Sequence, residues 1–452
     1  MRVATTTLYS ISVNGLQQET ANQARLQQQL STGSKILTPS DDPIASARIL
    51  DINQTSSITA QYAVNSQTAD SALSTTEATM TQIVSVIQNM QTLAVHAGNG
   101  SLTPSDMQSI NSELQGNYQQ LLGLANSTDG SGIYMFSGYQ GDTKPFTETS
   151  PGNVTYNGDD GVRKVQISSG RQIPISDNGN DVFRNIKNGN GTFATAANAS
   201  NGGTGIVGVG NVLDPTKWSA AGSKDFSVQF YWQTNPSAPT APTITYDLVD
   251  NSSGKSLIDG APSAGRTSGP RSYVAGSDID FKQLPGEAAV PPWDYGVNVN
   301  VSGSPVAIDA TTKLPVGSPG AADSFSVKAS SNVDVFATAG AFSNALSNYS
   351  TDSTGKGPAA FQNQLNGVMQ GLNNALSQVL KVQASIGARM SETSSVQSTN
   401  SDLQLQYSQT ISGLQSLDYA SAISDFSMNQ MLLEATRSSF AKVQDLSLFK
   451  YI

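Results

Sequence analysis

The side chains that could take part in catalysis or bind a metal are few in this chain. His96 is the only histidine and cysteine is absent, so a Ser-His-Asp triad would depend on His96 alone and no thiolate metal site can form. The chain contains neither a Gly-x-Ser-x-Gly nor a His-Glu-x-x-His motif. We therefore expect His96 to lie at the surface near a helix end, and we predict no enzyme, no metal site and no cofactor.

Two pairs of adjacent aspartates could supply carboxylates to a cation. Asp42 stands before Pro43, and this is the pattern of a helix N-cap followed by proline at the first helical position. Capping accounts for Asp41 and Asp42 without a cation. Asp159 and Asp160 are flanked by glycines and lack a glutamate at the spacing of a calcium loop. We expect that pair to lie in a solvated turn.

The three tryptophans, Trp218, Trp232 and Trp293, could form a sugar-binding face. Aromatic residues in short strands more often belong to a core, and we expect a core here. Paired carboxylates for glycoside hydrolysis remain open because acidic residues are plentiful in this part of the chain, although nothing marks a pair. A glycan-binding or hydrolytic surface protein is therefore an alternative from a second functional class.

The composition favours assembly over binding of nucleic acid or membrane. Charged residues make up 13% of the chain, about half of the roughly 25% that is usual. The net charge is −10 and no Lys/Arg cluster occurs, which argues against nucleic acid. No stretch of 18 apolar residues could insert into a membrane. Residues 1–15 lack a continuous apolar core, so we expect any export to use no cleaved signal peptide.

Long helices are the elements that must position these residues. Apolar side chains recur at spacings of three and four over residues 58–94, 107–125 and 372–390, which is typical of coiled-coil-like packing. We also predict a first helix from about Leu8 to Gly33. A helix returns at Asp334, and after residue 358 the chain contains no proline, so we predict nearly continuous helix there.

Between the helical parts, the hydrophobic period changes to two. Residues 133–136 predict a strand, and residues 154–156 and 162–167 predict a hairpin around the turn 158–161. Four further candidate strands are separated by loops rich in Ser, Gly and Pro: residues 226–232, 244–249, 297–301 and 325–328. We predict a small β sandwich or barrel over residues 190–334.

Two distant motifs carry a family resemblance. Residues 29–37 (QLSTGSKIL) and 39–48 (PSDDPIASAR) resemble the N-terminal signature of the bacterial flagellin superfamily. Residues 422–426 and 444–448 are similar to the C-terminal helix of the same superfamily.

Two details point to one branch of that superfamily. The Asp-Asp-Pro form and residues 134–138 (YMFSG) resemble the branch found at the hook–filament junction. Ordinary flagellins commonly have alanine where this chain has Pro43.

The resemblance implies a mainly α fold with β structure. We expect a flagellin-like rod of long coiled-coil helices from both termini, with a β-hairpin region and an inserted, mostly β outer domain. Residues 1–40 and 416–452 would be the terminal helices of an inner assembly layer. Residues 41–189 and 335–415 would form a helical-bundle domain with the hairpin, and residues 190–334 the insert.

The same resemblance implies a structural component of the bacterial flagellum. Copies would form a ring with themselves at the hook–filament junction and template filament assembly. The implied partners are the hook-side junction protein, flagellin in the filament, and an export chaperone at the C-terminal helix. The expected location is extracellular, with no nucleic acid bound and no membrane insertion. Flagellin itself, the filament subunit, is the alternative.

Nine apolar residues of the terminal helices are candidates for subunit packing. Coupled folding on assembly would bury their side chains against neighbouring copies. These residues are Leu26, Leu30, Leu414, Leu417, Phe426, Leu433, Phe440, Val443 and Leu446. A second candidate set is the helix-start loop of Pro39, Ser40, Asp41, Asp42 and Pro43.

Overall fold

The chain divides into two compact units. A computed structural model describes residues 5–235, 242–287, 293–309, 311–312, 314–352 and 354–445. The first unit takes Met1–Thr68, Gln166–Gln172 and Thr393–Ile452, and the second takes Ala69–Val165 and Ile173–Glu392. The three-part division expected from the sequence, with its inner layer and its outer insert, stays a prediction.

Seven α-helices lie in the described residues. They are α1 (Thr5–Thr32), α2 (Pro43–Ala97), α3 (Pro104–Ala125), α4 (Pro215–Ala220), α5 (Val335–Ser347), α6 (Lys356–Gln415) and α7 (Tyr419–Asp445). A π-helical turn spans Asn180–Arg184. The nearly continuous C-terminal helix that was predicted is interrupted at residues 416–418, between α6 and α7. There the Leu417 N–H donates to the Gly33 carbonyl, and Asp418 accepts from the Ala420 N–H and starts a new helix.

In α3, residues close together in the sequence determine where the helix starts and which face is buried. Thr103 and Asp106 form a capping box, in which the Thr103 N–H donates to the Asp106 carboxylate at 2.8 Å. The apolar side chains at spacings of three and four are the ones buried on α3: Met107, Ile110, Leu114, Tyr118, Leu121 and Ala125. The predicted packing face of this helix is confirmed. It joins buried residues of α2, α5 and α6 in one hydrophobic core of the second unit.

Serine and threonine hydroxyls along α2 bond to their own helix. Eleven of these hydroxyls donate to the carbonyl oxygen four residues earlier, as Thr59 does to Thr55 and Ser66 does to Tyr62, both at 2.9 Å. Thr59 and Ser66 are buried, so these bonds satisfy hydroxyls that water does not reach. The same contact recurs at Thr55, Ser57, Thr68, Thr75, Thr76, Thr79, Thr81, Ser85 and Thr92.

Sixteen strands complete the described structure. They are β1 (Phe146–Ser150), β2 (Asn153–Tyr156), β3 (Lys164–Ser168), β4 (Arg171–Pro174), β5 (Ile186–Lys187), β6 (Phe193–Ala197), β7 (Ile206–Val207), β8 (Asn211–Val212), β9 (Asp225–Gln233), β10 (Thr243–Asp250), β11 (Lys255–Ser256), β12 (Arg271–Ser272), β13 (Asp278–Lys282), β14 (Asp294–Ser302), β15 (Gly320–Ala329) and β16 (Asn332–Val333). A six-stranded sheet has the order β11-β10-β9-β15-β6 with β12 beside β10, and a four-stranded sheet has β13-β14-β7 with β8 beside β14.

The two larger sheets enclose one core. Phe226 and Phe325 from the six-stranded sheet and Phe281 and Val299 from the four-stranded sheet are fully buried in it. This arrangement is a β sandwich, one of the two architectures, sandwich or barrel, expected from the sequence. The four strands predicted for this region are confirmed as β9, β10, β14 and β15.

Two strand predictions before the sandwich are wrong. Residues 133–136 form turns with a single bridge at Tyr134. The apolar run that predicted a strand is present because Met135 and Phe136 are buried in the core that the helices form. The predicted hairpin pairing also fails, since β2 pairs with β1 and β3 pairs with β4. In place of a hairpin tip, the Asp159 carboxylate accepts the N–H groups of Tyr139 and Gly161, both at 2.8 Å.

Within the second unit, a row of side-chain amides on α6 holds the backbone that leads into the sandwich. Asn363 accepts from the Val207 N–H at 2.8 Å and donates to the Gly205 carbonyl at 2.9 Å. Asn374 donates to the carbonyls of Lys187 and Gly189, at 2.7 and 2.8 Å. These amides satisfy backbone groups that strand pairing leaves open.

We expect Asn363→Ala to destabilise the second unit by about 1–3 kcal/mol, because it leaves the Val207 N–H and the Gly205 carbonyl without their hydrogen-bond partner. The measurement is the free energy of unfolding from urea titration. Ser377→Ala, at an exposed position of the same helix, is the matched control and should change little. Equal stability of the two variants would contradict the role given to Asn363.

Candidate assembly surface

The helices α1 and α7 of the first unit form an antiparallel pair. At one end the rings of Tyr9 and Phe440 lie 5.3 Å apart. At the other end the Lys35 N–H donates to the Gln415 carbonyl at 2.8 Å. Gly33 ends α1 with a φ of +67°, a conformation that favours glycine. A Cβ at Gly33 would lie 2.8 Å from the Tyr419 hydroxyl, the end of a side chain that can move aside, so it is the backbone conformation that requires glycine.

This pair leaves large apolar side chains exposed. On α7, Met431 is 72% exposed. The same condition holds at Ile423, Met428 and Leu432 on α7 and at Tyr9 and Ile11 on α1. Exposed apolar side chains also lie on α2, at Ile44, Leu50 and Val64; contiguous exposed apolar groups are typical of a protein–protein contact. We call these six residues the assembly surface: Tyr9, Ile11, Ile423, Met428, Met431 and Leu432.

The sequence-predicted packing residues differ in burial. Leu433 is buried, at 6% exposure. The partly buried members are Leu26, Leu30, Leu414, Leu417, Phe426 and Phe440. Leu446 lies outside the described residues, and so does the side chain of Val443. Their role in packing between copies stays a prediction, since α1 and α7 already cover most of them within one chain.

The assembly surface was missed by sequence reasoning. Its α7 members lie beside predicted residues, as Leu432 lies beside Leu433 and Met428 follows Phe426 by two positions. The sequence did contain a signal for this surface, namely apolar residues on two faces of α7. A helix with a single buried face needs only one apolar stripe, so a second stripe indicates a second contact.

The helix-start loop is held by its aspartates. The Asp41 carboxylate accepts the N–H groups of Leu37 and Thr38, each at 2.9 Å, and lies 3.2 Å from the Arg25 guanidinium. Asp42 accepts the Ala45 N–H at 2.9 Å, the contact of an N-cap at the start of α2. Pro39 and Ser40 are exposed turn residues, and Pro43 is the first residue of α2.

Acid should weaken this loop. The N–H groups of Thr38 and Leu37, with Arg25, hold the pKa of the Asp41 carboxyl below its usual range. The loop's contribution to stability is therefore present above the unfolded pKa of about 3.9 and is lost as the pH falls through the lower folded pKa. We expect Asp41→Asn to remove this part of the acid dependence. An NMR titration of Asp41 at the ordinary aspartate pKa would contradict the assignment.

The other sequence candidates for chemistry lie apart from one another. His96 is exposed near the end of α2. Trp218 and Trp232 are buried, and Trp293 packs against the sandwich core. In the described part of the chain, no group of three or more His, Asp or Glu side chains could hold a metal ion. Among those same residues, no helix has the length and apolar character needed to cross a bilayer.

The N-terminal part of the chain matches a known family. Residues 3–141 match the family model of the bacterial flagellin N-terminal helical region. Over 186 residues, the chain is 36% identical to flagellar hook-associated protein 3 of Salmonella typhimurium and 34% identical to the protein of that name of Escherichia coli K12. Each alignment covers 41% of this chain and 58% of the relative, so the chain spans less than two thirds of these relatives' length.

Solved structures extend the likeness. The crystal structure of flagellar hook-associated protein 3 from Legionella pneumophila superposes with a TM-score of 0.67 at 27% identity, over 81% of this chain and 98% of that one. The crystal structure of FlgL from Xanthomonas campestris gives a TM-score of 0.62 at 27% identity, over 80% and 99%.

Proposed function

We propose that this chain, whose N-terminal part is a flagellin N-terminal helical region, is a structural component of the bacterial flagellum that joins the hook to the filament. The observation that carries the proposal is the likeness to hook-associated protein 3, in sequence over 186 residues and in fold over 98% of the Legionella structure. Flagellin, the alternative, has less support, because the relatives and structures that match well carry the name of the junction protein.

In this proposal, the assembly surface provides the contacts between copies of the chain. Copies of the chain bury the exposed apolar side chains of α1 and α7 against neighbours in a ring, and each Å² of apolar surface removed from water contributes roughly 25 cal/mol. The ring contacts the hook-side junction protein on one side and the filament on the other. An export chaperone covers the C-terminal helix before assembly, and the mature location is extracellular. No catalytic step is part of this function.

The location of the protein on the flagellum tests the proposal. Antibody raised against the chain and coupled to gold should label one band between hook and filament on isolated flagella. Labelling along the whole filament would overturn the junction role and favour the flagellin alternative. A deletion strain complemented with the chain serves as the control for antibody specificity, and it should regain both the band and attached filaments.

A further inference from the structure

Eight asparagines of this chain are followed directly by glycine. In such a pair the backbone nitrogen of the glycine can attack the side-chain amide of the asparagine, because glycine has no Cβ to hinder the approach. The attack requires a glycine N–H that is free and an asparagine side chain that can turn, so the contacts around each pair decide its reactivity. The asparagines are Asn14, Asn99, Asn157, Asn178, Asn188, Asn190, Asn201 and Asn366.

Hydrogen bonds from the asparagine side chain hold five of these pairs. The Asn201 side chain donates to the Ser324 carbonyl and accepts the Ser324 N–H, both at 2.9 Å. The N–H of Gly202, which would have to attack, donates to the Asp323 carboxylate at 2.7 Å. The amide nitrogen, which would have to leave, also donates a hydrogen bond at Asn157, Asn178, Asn188 and Asn190.

Two further pairs lie inside helices, with Asn14 in α1 and Asn366 in α6. A glycine within a helix donates its N–H to the carbonyl oxygen four residues earlier. The Asn366 side chain also donates to the Val207 carbonyl, at 3.3 Å. At both pairs the helical hydrogen bond of the glycine would have to break before the attack.

The pair of Asn99 and Gly100 is held by neither means. Both residues are exposed, in the turn between α2 and α3. The Gly100 N–H and the Asn99 amide nitrogen have no hydrogen-bond partner among the residues that the structure describes. The Asn99 side-chain oxygen accepts the Ser101 N–H at 3.2 Å, and the ring closed by this bond includes the Gly100 nitrogen. The attacking and leaving nitrogens are therefore both free at this one pair.

We propose that Asn99 is a site of spontaneous deamidation, which requires water but no enzyme. The Gly100 nitrogen attacks the Asn99 side-chain carbonyl carbon and a new C–N bond forms. The amide nitrogen leaves as ammonia and takes the proton of the Gly100 N–H. Water then opens the resulting succinimide ring at either carbonyl, which gives aspartate or isoaspartate at this position. The product carries one more negative charge just beyond the C-terminal end of α2, where the helix dipole disfavours an anion.

Deamidation is measured on the full folded chain in mildly alkaline buffer. Glutamyl endopeptidase releases residues 78–113 as one peptide, and tandem mass spectrometry locates the converted residue. We expect conversion at Asn99 to be about tenfold or more faster than at Asn201 and Asn366, because hydrogen bonds at those two sites must break first. In urea, which removes these bonds, the three sites should react at similar rates. Equal rates at Asn99 and Asn201 in the folded chain would overturn the proposal.

Gly100→Ala tests whether the backbone nitrogen is the attacking group. A Cβ on Gly100 would meet nothing within 4 Å, so the variant should fold normally. It should slow conversion of Asn99 about tenfold or more, because the Cβ hinders the approach of the nitrogen. Gly116→Ala, where a Cβ also meets nothing within 4 Å, is the matched control and should leave the rate unchanged. An undiminished rate in Gly100→Ala would show that water displaces the amide directly, and it would overturn the proposed route.

Discussion

Gly340→Ala should destabilise the second unit by about 1–3 kcal/mol, the range for forcing an extra carbon into a packed site. Alanine in the middle of a helix ordinarily stabilises by roughly 0.5–1 kcal/mol relative to glycine. The opposite sign is expected in α5, because a Cβ at Gly340 would lie 2.5 Å from the Gly152 Cα. Backbone atoms on both sides cannot move aside as a flexible side chain would. Urea unfolding followed by circular dichroism measures the change.

A second glycine supplies the control for that variant. Gly116 lies inside α3, and a Cβ there would meet nothing within 4 Å. Gly116→Ala should therefore show the ordinary gain of roughly 0.5–1 kcal/mol. If both variants gained stability, the close approach of Gly152 and Gly340 would not exist in solution.

Met431→Asp should abolish incorporation into the flagellum while the first unit remains folded. Met431 is 72% exposed, so a carboxylate there stays hydrated in the free chain. In an apolar contact between copies the same charge would lose its water without gaining a partner, at a cost of several kcal/mol. Incorporation is measured by immunogold counts and by motility of a complemented deletion strain.

Leu433→Asp is the informative comparison. Leu433 is 6% exposed, so a charge there disrupts the pairing of α1 with α7 and should lower the helix content of the free chain. Met431→Asp should leave helix content unchanged. Normal filament attachment with Met431→Asp would show that the assembly surface does not mediate contacts between copies.

Local signals carried most of what the sequence could predict about the fold. The capping box at Thr103 and the apolar spacing of α3 depend on residues within a few positions of each other. The strand β9 follows from its run of β-branched and aromatic residues. The pairing of β2 with β1 and the bond from the Tyr139 N–H to Asp159, twenty positions away, were not predicted, because periodicity contains no information on which segments contact each other.

For the candidate site, the sequence pointed to the terminal helices but not to the side chains that are exposed on them. Apolar spacing pointed to α1 and α7, yet it could not tell Leu433, which faces α1, from Met431, which faces solvent. That distinction depends on how two helices that are far apart in sequence pair. The break at Leu417 was hidden for a similar reason, because the Leu417 N–H bonds to Gly33 on a distant helix.

The hydroxyls of α2 that bond to their own helix have a mechanical consequence. A hydroxyl that already donates to its own backbone has only acceptor capacity left for a neighbouring molecule. Shear along the helix axis would then be resisted by interlocking of side-chain shapes, with few directional bonds to break and reform.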